Sequence, residues 1–397
     1  MTKEVKKLWQ IDTPLHPLVQ KYTAGDDVVF DQQLLPYDIT GSKAHAKMLA
    51  SKGVLTDKDL QQIIDQLNVL LDLWERGKFI ITAEQEDAHT AIEQFLTDSL
   101  GEVGKKIHTG RSRNDQATLM VRLFCRQQIQ LIIEKTKDLE IITKKTAQIF
   151  GDKAMPGYTH MQKAMPTTVG TWLESFSDAW RDTVIGLDAV AILIDQNPLG
   201  SASGFGIANF ENDRELTTKE LGFSKTQTNP QYVGLSRGLF EHALVQGLSQ
   251  QMLVNSRFAS DMMLFTTKEF DFFNLPSEFT TGSSIMPNKR NYDLFEIMRA
   301  NTSIVLAAQQ QISATYTKLI SGYNRDLQTM KGPLMKSINV VIDTLDLLIE
   351  VIPKIELNEA NLKFAMTDDL YTTEKVYELV NQGMAFRDAY LTIKKQQ

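Results

Sequence analysis

The 397-residue sequence contains a single cysteine, Cys125, so it cannot form an intramolecular disulfide. This absence excludes the disulfide-rich class of secreted proteins and is typical of a reducing compartment. Cys125 lies within an apolar helical pattern, where a lone cysteine more often fills the core than acts as a nucleophile. We therefore predict a buried thiol and a cytoplasmic protein.

Long apolar runs and blocks of basic residues are also missing. No stretch approaches the roughly 20 apolar residues that a membrane-spanning helix needs, and the amino-terminal segment lacks the apolar core of a signal sequence. The formal net charge of -7 argues against a nucleic-acid-binding surface, because no basic segment offsets it. We expect a soluble protein that binds neither membranes nor nucleic acids.

Proline is scarce as well. Eleven prolines occur, and none lies between Pro36 and Pro156. Since a proline inside a helix costs about 3 kcal/mol, long helices can form in such intervals. Between residues 169 and 194, apolar side chains recur at steps of three and four, which predicts a helix roughly 40 Å long. Similar patterns predict four more long helices, near 113–150, 235–266, 293–320 and 333–352.

Almost no alternating strand pattern separates these helices, so the sequence predicts an all-α fold built around a bundle of long helices. We expect an N-terminal helical domain over residues 1–110, a central long-helix bundle over 111–355 and a short C-terminal helical region over 356–397. Shorter helices are predicted near 40–52 and 56–76. The long helices carry more apolar surface than one subunit covers, so other subunits should complete the bundle.

Four segments rich in polar residues and glycine lie where bundle helices begin or end. The first, His108–Gln116, places Arg111, Arg113 and Asn114 beside a helix start. Guanidinium groups bind carboxylate oxygens through paired hydrogen bonds, and free backbone amides at a helix N-terminus add to such a site. The segment is interpreted as an anion site; a capped helix start with solvated arginines is the alternative.

The second segment, Gly157–Gln162, contains Thr159 and His160 and lies between two prolines. A histidine in a constrained loop can act as an acid or a base near neutral pH. A structural histidine is the alternative.

The third segment, Gly282–Asn291, combines a glycine and two serines with Lys289 and Arg290. A serine hydroxyl is a poor base unless its alkoxide is stabilised, and backbone amides beside an ammonium group can supply that stabilisation. This pattern makes Ser283, Lys289 and Asn291 candidates for chemistry at an anion. A flexible surface loop is the alternative.

The fourth segment, Tyr323–Lys331, alternates aromatic, amide, acidic and basic side chains, as in a strip that contacts a small molecule. The stretch Glu86–His89 is similar in kind. No further histidine or cysteine lies at ligand spacing from it, so a metal site is not predicted there.

Together these segments resemble the fumarase and aspartase superfamily and, within it, the argininosuccinate lyases. The third segment matches the superfamily signature G-S-S-x-M-P-x-K-x-N, and His108–Gln116 reads H-T-G-R-S-R-N-D-Q, as in argininosuccinate lyases. The resemblance runs from Leu8 to about Tyr390. Five further segments resemble family segments and occur in the same order along the chain as in the family: Tyr37–His45, Glu86–Thr90, Gly157–Gln162, Pro198–Ser201 and Tyr323–Gln328.

The resemblance implies a tetramer of long-helix bundles whose active sites are shared between subunits, with no metal or organic cofactor. It implies elimination of fumarate from argininosuccinate to give arginine. Substrate contacts are implied for Asn114, Thr159, Tyr323, Gln328 and Lys331, and the anion-binding patterns add Arg113 and Asn291.

The implied acid–base pair is His160 and Ser283, with Glu296 supporting His160 and Lys289 holding a carboxylate. The residue pattern favours His160 as the base, because its ordinary pKa is nearer neutrality. Models of the superfamily often give that role to Ser283, and the assignment stays open.

Several positions depart from the family pattern. Asp27 stands where a substrate-contacting serine is common, so it should either grip a cationic group of the substrate or turn toward a basic neighbour. The usual S-R-D reads Ser236–Gly238, and the segment 229–232 before it also differs. Met330 replaces a common acid, and Asn288 and Tyr292 replace the Gln and Pro that are more usual in the loop of the third segment. The chain ends soon after Asp388, short of the usual C-terminal helices.

Two alternatives to this activity remain. One is another fumarate-releasing lyase of the superfamily, acting on adenylosuccinate, aspartate or malate, which the H-T-G-R-S-R-N-D-Q segment disfavours. The other is a catalytically silent structural relative, since lens crystallins arose from this family. The presence of Ser283, Lys289, His160 and Glu296 favours an active enzyme.

Overall fold

The computed structural model describes residues 15–396. Leu8, where the family resemblance starts, lies outside the described residues. Within them the chain is mostly helical, and the helices are α1 (Pro17–Ala24), α2 (Asp27–Ser51), α3 (Asp57–Glu75), α4 (Ala88–Leu100), α5 (Glu102–Lys105), α6 (Arg113–Phe150), α7 (Val169–Ile194), α8 (Arg214–Glu220), α9 (Pro230–Ser236), α10 (Leu239–Phe265), α11 (Asp293–Tyr316), α12 (Lys331–Val351), α13 (Glu359–Ala365), α14 (Thr372–Asn381) and α15 (Phe386–Lys394).

Strands are few and short in the described part of the chain. They are β1 (Ala154–Thr159), β2 (Gln162–Thr168), β3 (Gln196–Asn197), β4 (Lys225–Thr226), β5 (Phe273–Asn274), β6 (Thr281–Gly282), β7 (Arg290–Asn291) and β8 (Glu356–Leu357). They form four two-stranded pairs: β1–β2, β5–β8 and β6–β7 are antiparallel, and β3–β4 is parallel. The all-α prediction is confirmed.

The five long helices predicted from apolar periodicity are α6, α7, α10, α11 and α12. Helix α10 begins at Leu239, later than predicted, because Gly238 adopts a φ of 90° that ends the preceding turn. Helix α12 begins at Lys331, before Pro333, since a proline is tolerated in a first turn, where its missing N–H has no intrahelical partner. No helix between residues 15 and 396 is long and apolar enough to cross a membrane.

The chain forms two compact units, each of three segments. Within the described residues, the first unit comprises 15–131, Leu187–Gly247 and Val305–Ile338. The second comprises Ile132–Gly186, Leu248–Ile304 and 339–396. The three-domain division expected from the sequence stays a prediction.

In the first unit, α2 is longer than the predicted helix near 40–52, because Pro36 lies inside it rather than before it. Helix α3 begins with a capping box. The backbone N–H of Thr56 donates to Asp59 Oδ2, and the backbone N–H of Asp59 donates to Thr56 Oγ1, both at 3.2 Å. Gly41 of α2 faces α6 so closely that a Cβ there would lie 2.6 Å from Leu119 Cδ2. A larger residue at this position would require the Leu119 side chain to shift.

In the second unit, the apolar stripe of α7 packs against α10. The Trp172 ring stacks on Phe258 with centroids 5.9 Å apart, and Trp180 donates its indole N–H to Asn255 Oδ1 at 2.8 Å. Phe295 of α11 contacts the same Phe258 ring. Each buried aromatic side chain contributes about 1.5–3 kcal/mol through removal from water, so this cluster fixes the bundle here.

Candidate active site

A polar cavity of about 180 Å³ lies in the first unit. Its wall is formed by the starts of α2, α4, α6 and α12 and by the segment 323–328. We call it the polar cavity, and the side chains that define it are Asp27, Arg113, Asn114, Arg237, Tyr323, Gln328 and Lys331. Five of these are substrate-binding residues predicted from the sequence, so the fold brings this set together.

Lys331 is the best-partnered cation of the polar cavity. Its Nζ lies 2.7 Å from Asp31 Oδ1 and 3.3 Å from Asp27 Oδ1, and its side chain is 6% exposed. Burial alone would lower the pKa of Lys331, but the carboxylates of Asp31 and Asp27 raise it above its ordinary value. Asp27 thus faces a basic neighbour, one of the two arrangements expected from the sequence.

Asp27 is mostly buried beside a second acid. Burial, together with the nearby Asp31 carboxylate, raises the pKa of Asp27 to about 6 against the attraction of Lys331. Asp31 is fully buried, and its second oxygen accepts the backbone N–H of Ala88 at 3.1 Å. With both acids ionised, the group of Asp27, Asp31 and Lys331 carries one net negative charge.

Arg113 stands at the start of α6 and reaches the start of α4. Its guanidinium lies 3.4 Å from Asp87 and 3.9 Å from Glu86, and it donates a hydrogen bond to Thr90. The neighbouring Arg111 is instead buried and donates to Ser42 Oγ at 3.0 Å. Of the two arginines in the predicted anion segment, only Arg113 lines the polar cavity.

Gln328 and Tyr323 come from the segment before α12. Gln328 Nε2 donates to the backbone carbonyls of Thr23 and Ala24 at 2.9 and 3.2 Å, and its Oε1 accepts from Arg325. The half-exposed Tyr323 ring lies with its centroid 5.1 Å from the Arg237 guanidinium carbon.

Three cavity residues, Asp31, His89 and Arg237, were not among the predicted site residues, although His89 belongs to the stretch Glu86–His89 that resembles a contact strip. His89 Nδ1 lies 2.6 Å from Asp38 Oδ2, both side chains are buried, and this carboxylate raises the pKa of His89 against the effect of burial. Asp27, Asp31 and Asp38 occupy one face of α2 at helical spacing. The helical spacing of these three acids is a signal that could have identified Asp31.

Thr159 and His160 lie in the second unit at the tip of the β1–β2 hairpin. Thr159 pairs with Gln162, and the two turn residues His160 and Met161 have φ values of 52° and 62°. Two successive positive φ values are typical of the tight turns that match the twist of a hairpin, although residues with a Cβ adopt them at a cost. The His160 side chain is exposed there.

The third segment also lies in the second unit, between β6 and β7. Ser283 Oγ accepts the backbone N–H groups of Ile285 and Met286 at 3.3 and 3.1 Å. Asn291 Nδ2 donates to the Gly282 carbonyl at 3.4 Å. Two backbone amides therefore contact the serine oxygen, and the predicted amide nest around it stays a prediction.

Lys289 and Glu296 are both exposed, the first in this loop and the second in the first turn of α11. Within the described residues, His160 makes no hydrogen bond or ion pair with Ser283 or Glu296. The pairing of these three side chains therefore stays a prediction.

Cys125 is 4% exposed, and burial raises the pKa of its thiol. It does not line the polar cavity. Its predicted place in the core is confirmed.

Known proteins resemble this chain over nearly its full length. A family model described as a lyase matches residues 11–306. The chain is 42% identical over 391 residues to the argininosuccinate lyase of Thermotoga neapolitana, and the match covers 98% of each chain. Among solved structures, EDDS lyase in complex with formate superposes with a TM-score of 0.83 at 23% identity, covering 96% of this chain and 76% of that one.

Class II fumarase from Schistosoma mansoni shares the fold too, with a TM-score of 0.78 at 15% identity over 97% of this chain and 93% of the fumarase. These two structural matches show the fold, and the match to the Thermotoga protein shows the family. The chain belongs to the argininosuccinate lyase family, within the lyases that the family model describes.

Proposed function

We propose that the protein catalyses the reversible elimination of fumarate from argininosuccinate to give arginine. The observation that carries this proposal is the 42% identity to an argininosuccinate lyase over 98% of both chains. The polar cavity supports it, because buried cations and carboxylates side by side suit a substrate that carries both charges. This activity makes the protein a carbon–nitrogen lyase.

The chemical step removes a weakly acidic proton beside a carboxylate and then expels a nitrogen leaving group. His160 and Ser283 divide the base and acid work, and which of them is the base stays open. The two amides that already contact Ser283 Oγ would lower the cost of an alkoxide there. Glu296 supports His160.

The dianion formed by proton loss needs positive groups and hydrogen-bond donors around its carboxylate. Lys289 and Asn291 supply them, together with the backbone amides of their loop. All three kinds of donor occur within Gly282–Asn291.

Asn114, Arg113, Tyr323, Gln328 and Lys331 contact the substrate from the polar cavity, and Thr159 contacts it from the hairpin. Lys331 has three N–H donors, so one remains after Asp27 and Asp31 have each accepted one. That third donor is the one it offers to the substrate.

The active protein is a homotetramer with sites shared between subunits, working in the cytoplasm. Large apolar side chains stay exposed on the long helices, including Ile149 of α6, Ile192 of α7 and Ile297 of α11. Partner subunits in a tetramer would cover these side chains. The single buried Cys125 fits a reducing compartment.

The test is fumarate release from argininosuccinate, followed by the ultraviolet absorbance of fumarate. Adenylosuccinate, aspartate and malate serve as parallel substrates, and His160→Asn is the inactive control. Faster release from one of these three would replace the proposed substrate. No release from any of the four would favour the catalytically silent relative.

A further inference from the structure

The cations of the polar cavity differ in how well they are compensated. Lys331 contacts Asp27 and Asp31, and Arg113 contacts Asp87 and Glu86. Among the described residues, Arg237 makes neither an ion pair nor a hydrogen bond. Its side chain is 5% exposed, and its Nη1 atom is buried without a partner.

A guanidinium group stays charged at any pH that the protein tolerates. Burying a charge without a counter-charge is costly, so buried charges are normally paired. Arg237 also lines the polar cavity. The counter-charge that the fold does not supply can therefore come from an anion that enters this cavity, and a carboxylate matches the planar fork of donors.

The backbone holds Arg237 in place between two helices. Helix α9 ends at Ser236, and Gly238 then adopts a φ of 90° and donates its N–H to Glu241 Oε2 at 2.5 Å. A Cβ at Gly238 would lie 3.0 Å from Tyr316 and 3.1 Å from Met330, so the turn is closely packed. The arginine is thus set in position before any ligand binds.

The charges around Arg237 indicate which carboxylate it takes. Asp27, Asp31 and Lys331 leave one net negative charge in the same cavity, beside the uncompensated cation. An α-amino acid group, with an ammonium next to a carboxylate, fits this combination. A succinyl group, with two carboxylates, does not.

We propose that Arg237 is a specificity-determining residue that binds the α-carboxylate of the arginine part of argininosuccinate. This inference rests on the proposed function. The net negative group around Asp27 accepts the α-ammonium. Lys331 contributes its remaining N–H, and Arg237 supplies the uncompensated positive charge.

The test compares arginine with agmatine, its decarboxylated analogue, by calorimetric titration of the full-length protein. Wild type should bind arginine about tenfold more tightly than agmatine, since hydrogen bonds between charged groups are strong. In Arg237→Gln the two affinities should become equal through weaker binding of arginine alone. Arg237→Lys keeps the charge and should retain part of the preference.

The matched control is Arg126→Gln. Arg126 also stacks on an aromatic ring, with its guanidinium carbon 4.5 Å from the Phe223 centroid, but it donates to the carbonyls of Leu221 and Gly222 outside the polar cavity. This variant should keep the wild-type preference for arginine. Thermal melting of both glutamine variants checks that they are folded.

Equal binding of arginine and agmatine by wild type would overturn the proposal, and so would an unchanged preference in Arg237→Gln. If Arg237→Gln bound fumarate more weakly than wild type but kept the preference for arginine over agmatine, Arg237 would bind a succinyl carboxylate instead. A preference that depends on Arg237 in a protein that releases no fumarate would support the Arg237 site and reject the proposed reaction.

Discussion

Lys331 donates a hydrogen bond to Asp31 across 2.7 Å, although 300 positions separate the two residues in the chain. The contact joins the start of α12 to the first half of α2, and both side chains are buried. Because Asp27 contacts the same ammonium group, the polar cavity depends on this link for its charge and its shape.

Removing one partner of this buried pair should destabilise the protein strongly. Lys331→Met leaves two buried carboxylates without their counter-charge, and we expect a loss of about 3–5 kcal/mol in the free energy of unfolding. Chemical denaturation read by circular dichroism measures it. The control is Glu220→Gln, which breaks the exposed pair with Lys47 and should cost no more than about 1 kcal/mol. Equal effects of the two substitutions would contradict the buried-pair argument.

Ser283→Ala and His160→Asn should each lower the turnover of argininosuccinate by about 10²-fold or more, because each removes an acid–base group. Both side chains lie in loops outside the core, so the melting temperature should stay near that of wild type. Ser284→Ala is the matched control and should keep near-normal turnover. If either of the first two variants remained as active as Ser284→Ala, that residue would have no acid–base role.

The protein should behave in solution as a tetramer of the 44.9 kDa chain. Light scattering measures the mass, and a value near that of one chain would contradict the argument from exposed apolar helix faces.

Shared sites predict that mixing His160→Asn with Ser283→Ala after subunit exchange restores part of the activity. Each variant mixed with itself is the control. A tetramer that shows no restoration would indicate that each site takes both residues from one subunit.

Binding should depend on the protonation of Asp27, whose pKa burial raises to about 6, with Lys331 opposing and Asp31 adding to that shift. Above this pH the carboxylate is charged and attracts the substrate ammonium; as the pH falls through 6 it takes up a proton and the attraction is lost. The Kd of arginine should therefore rise on acidification in wild type. Asp27→Asn should bind arginine more weakly than wild type at pH 8, and its Kd should change less with pH.

Asp27→Ser restores the residue that is common in the family and should reduce the affinity for argininosuccinate, because it removes the carboxylate that attracts the substrate ammonium; an unchanged affinity would contradict this role. A gain of about tenfold, equivalent to about 1.4 kcal/mol, would indicate that the wild type prefers another substrate.

The long helices could be predicted from the sequence because apolar periodicity is a local property. The stripe of α7 is an example, since Trp172, Phe176 and Trp180, four residues apart, all contact Phe258 of α10. The polar segments were likewise visible as motifs, and five predicted binding residues line one cavity.

Partnerships across the chain could not be predicted in the same way. Nothing near Asp31 in the sequence indicates Lys331 as its partner, and nothing near Arg237 reveals that it forms no ion pair with any residue between 15 and 396. These relations arise only when distant segments pack together. The positive φ values of His160 and Met161 are local, yet neither residue type signals them, since glycine or asparagine is the usual choice there.

The buried Cys125 makes this protein a convenient background for site-selective labelling. Its thiol is 4% exposed, and burial raises its pKa, so little reactive thiolate forms near neutral pH. A cysteine introduced at an exposed position, such as Ile285 with 83% of its side chain accessible, would then be the only readily modified thiol in the chain. A fluorophore attached there would report motions of the loop that carries Ser283 without first removing any native cysteine.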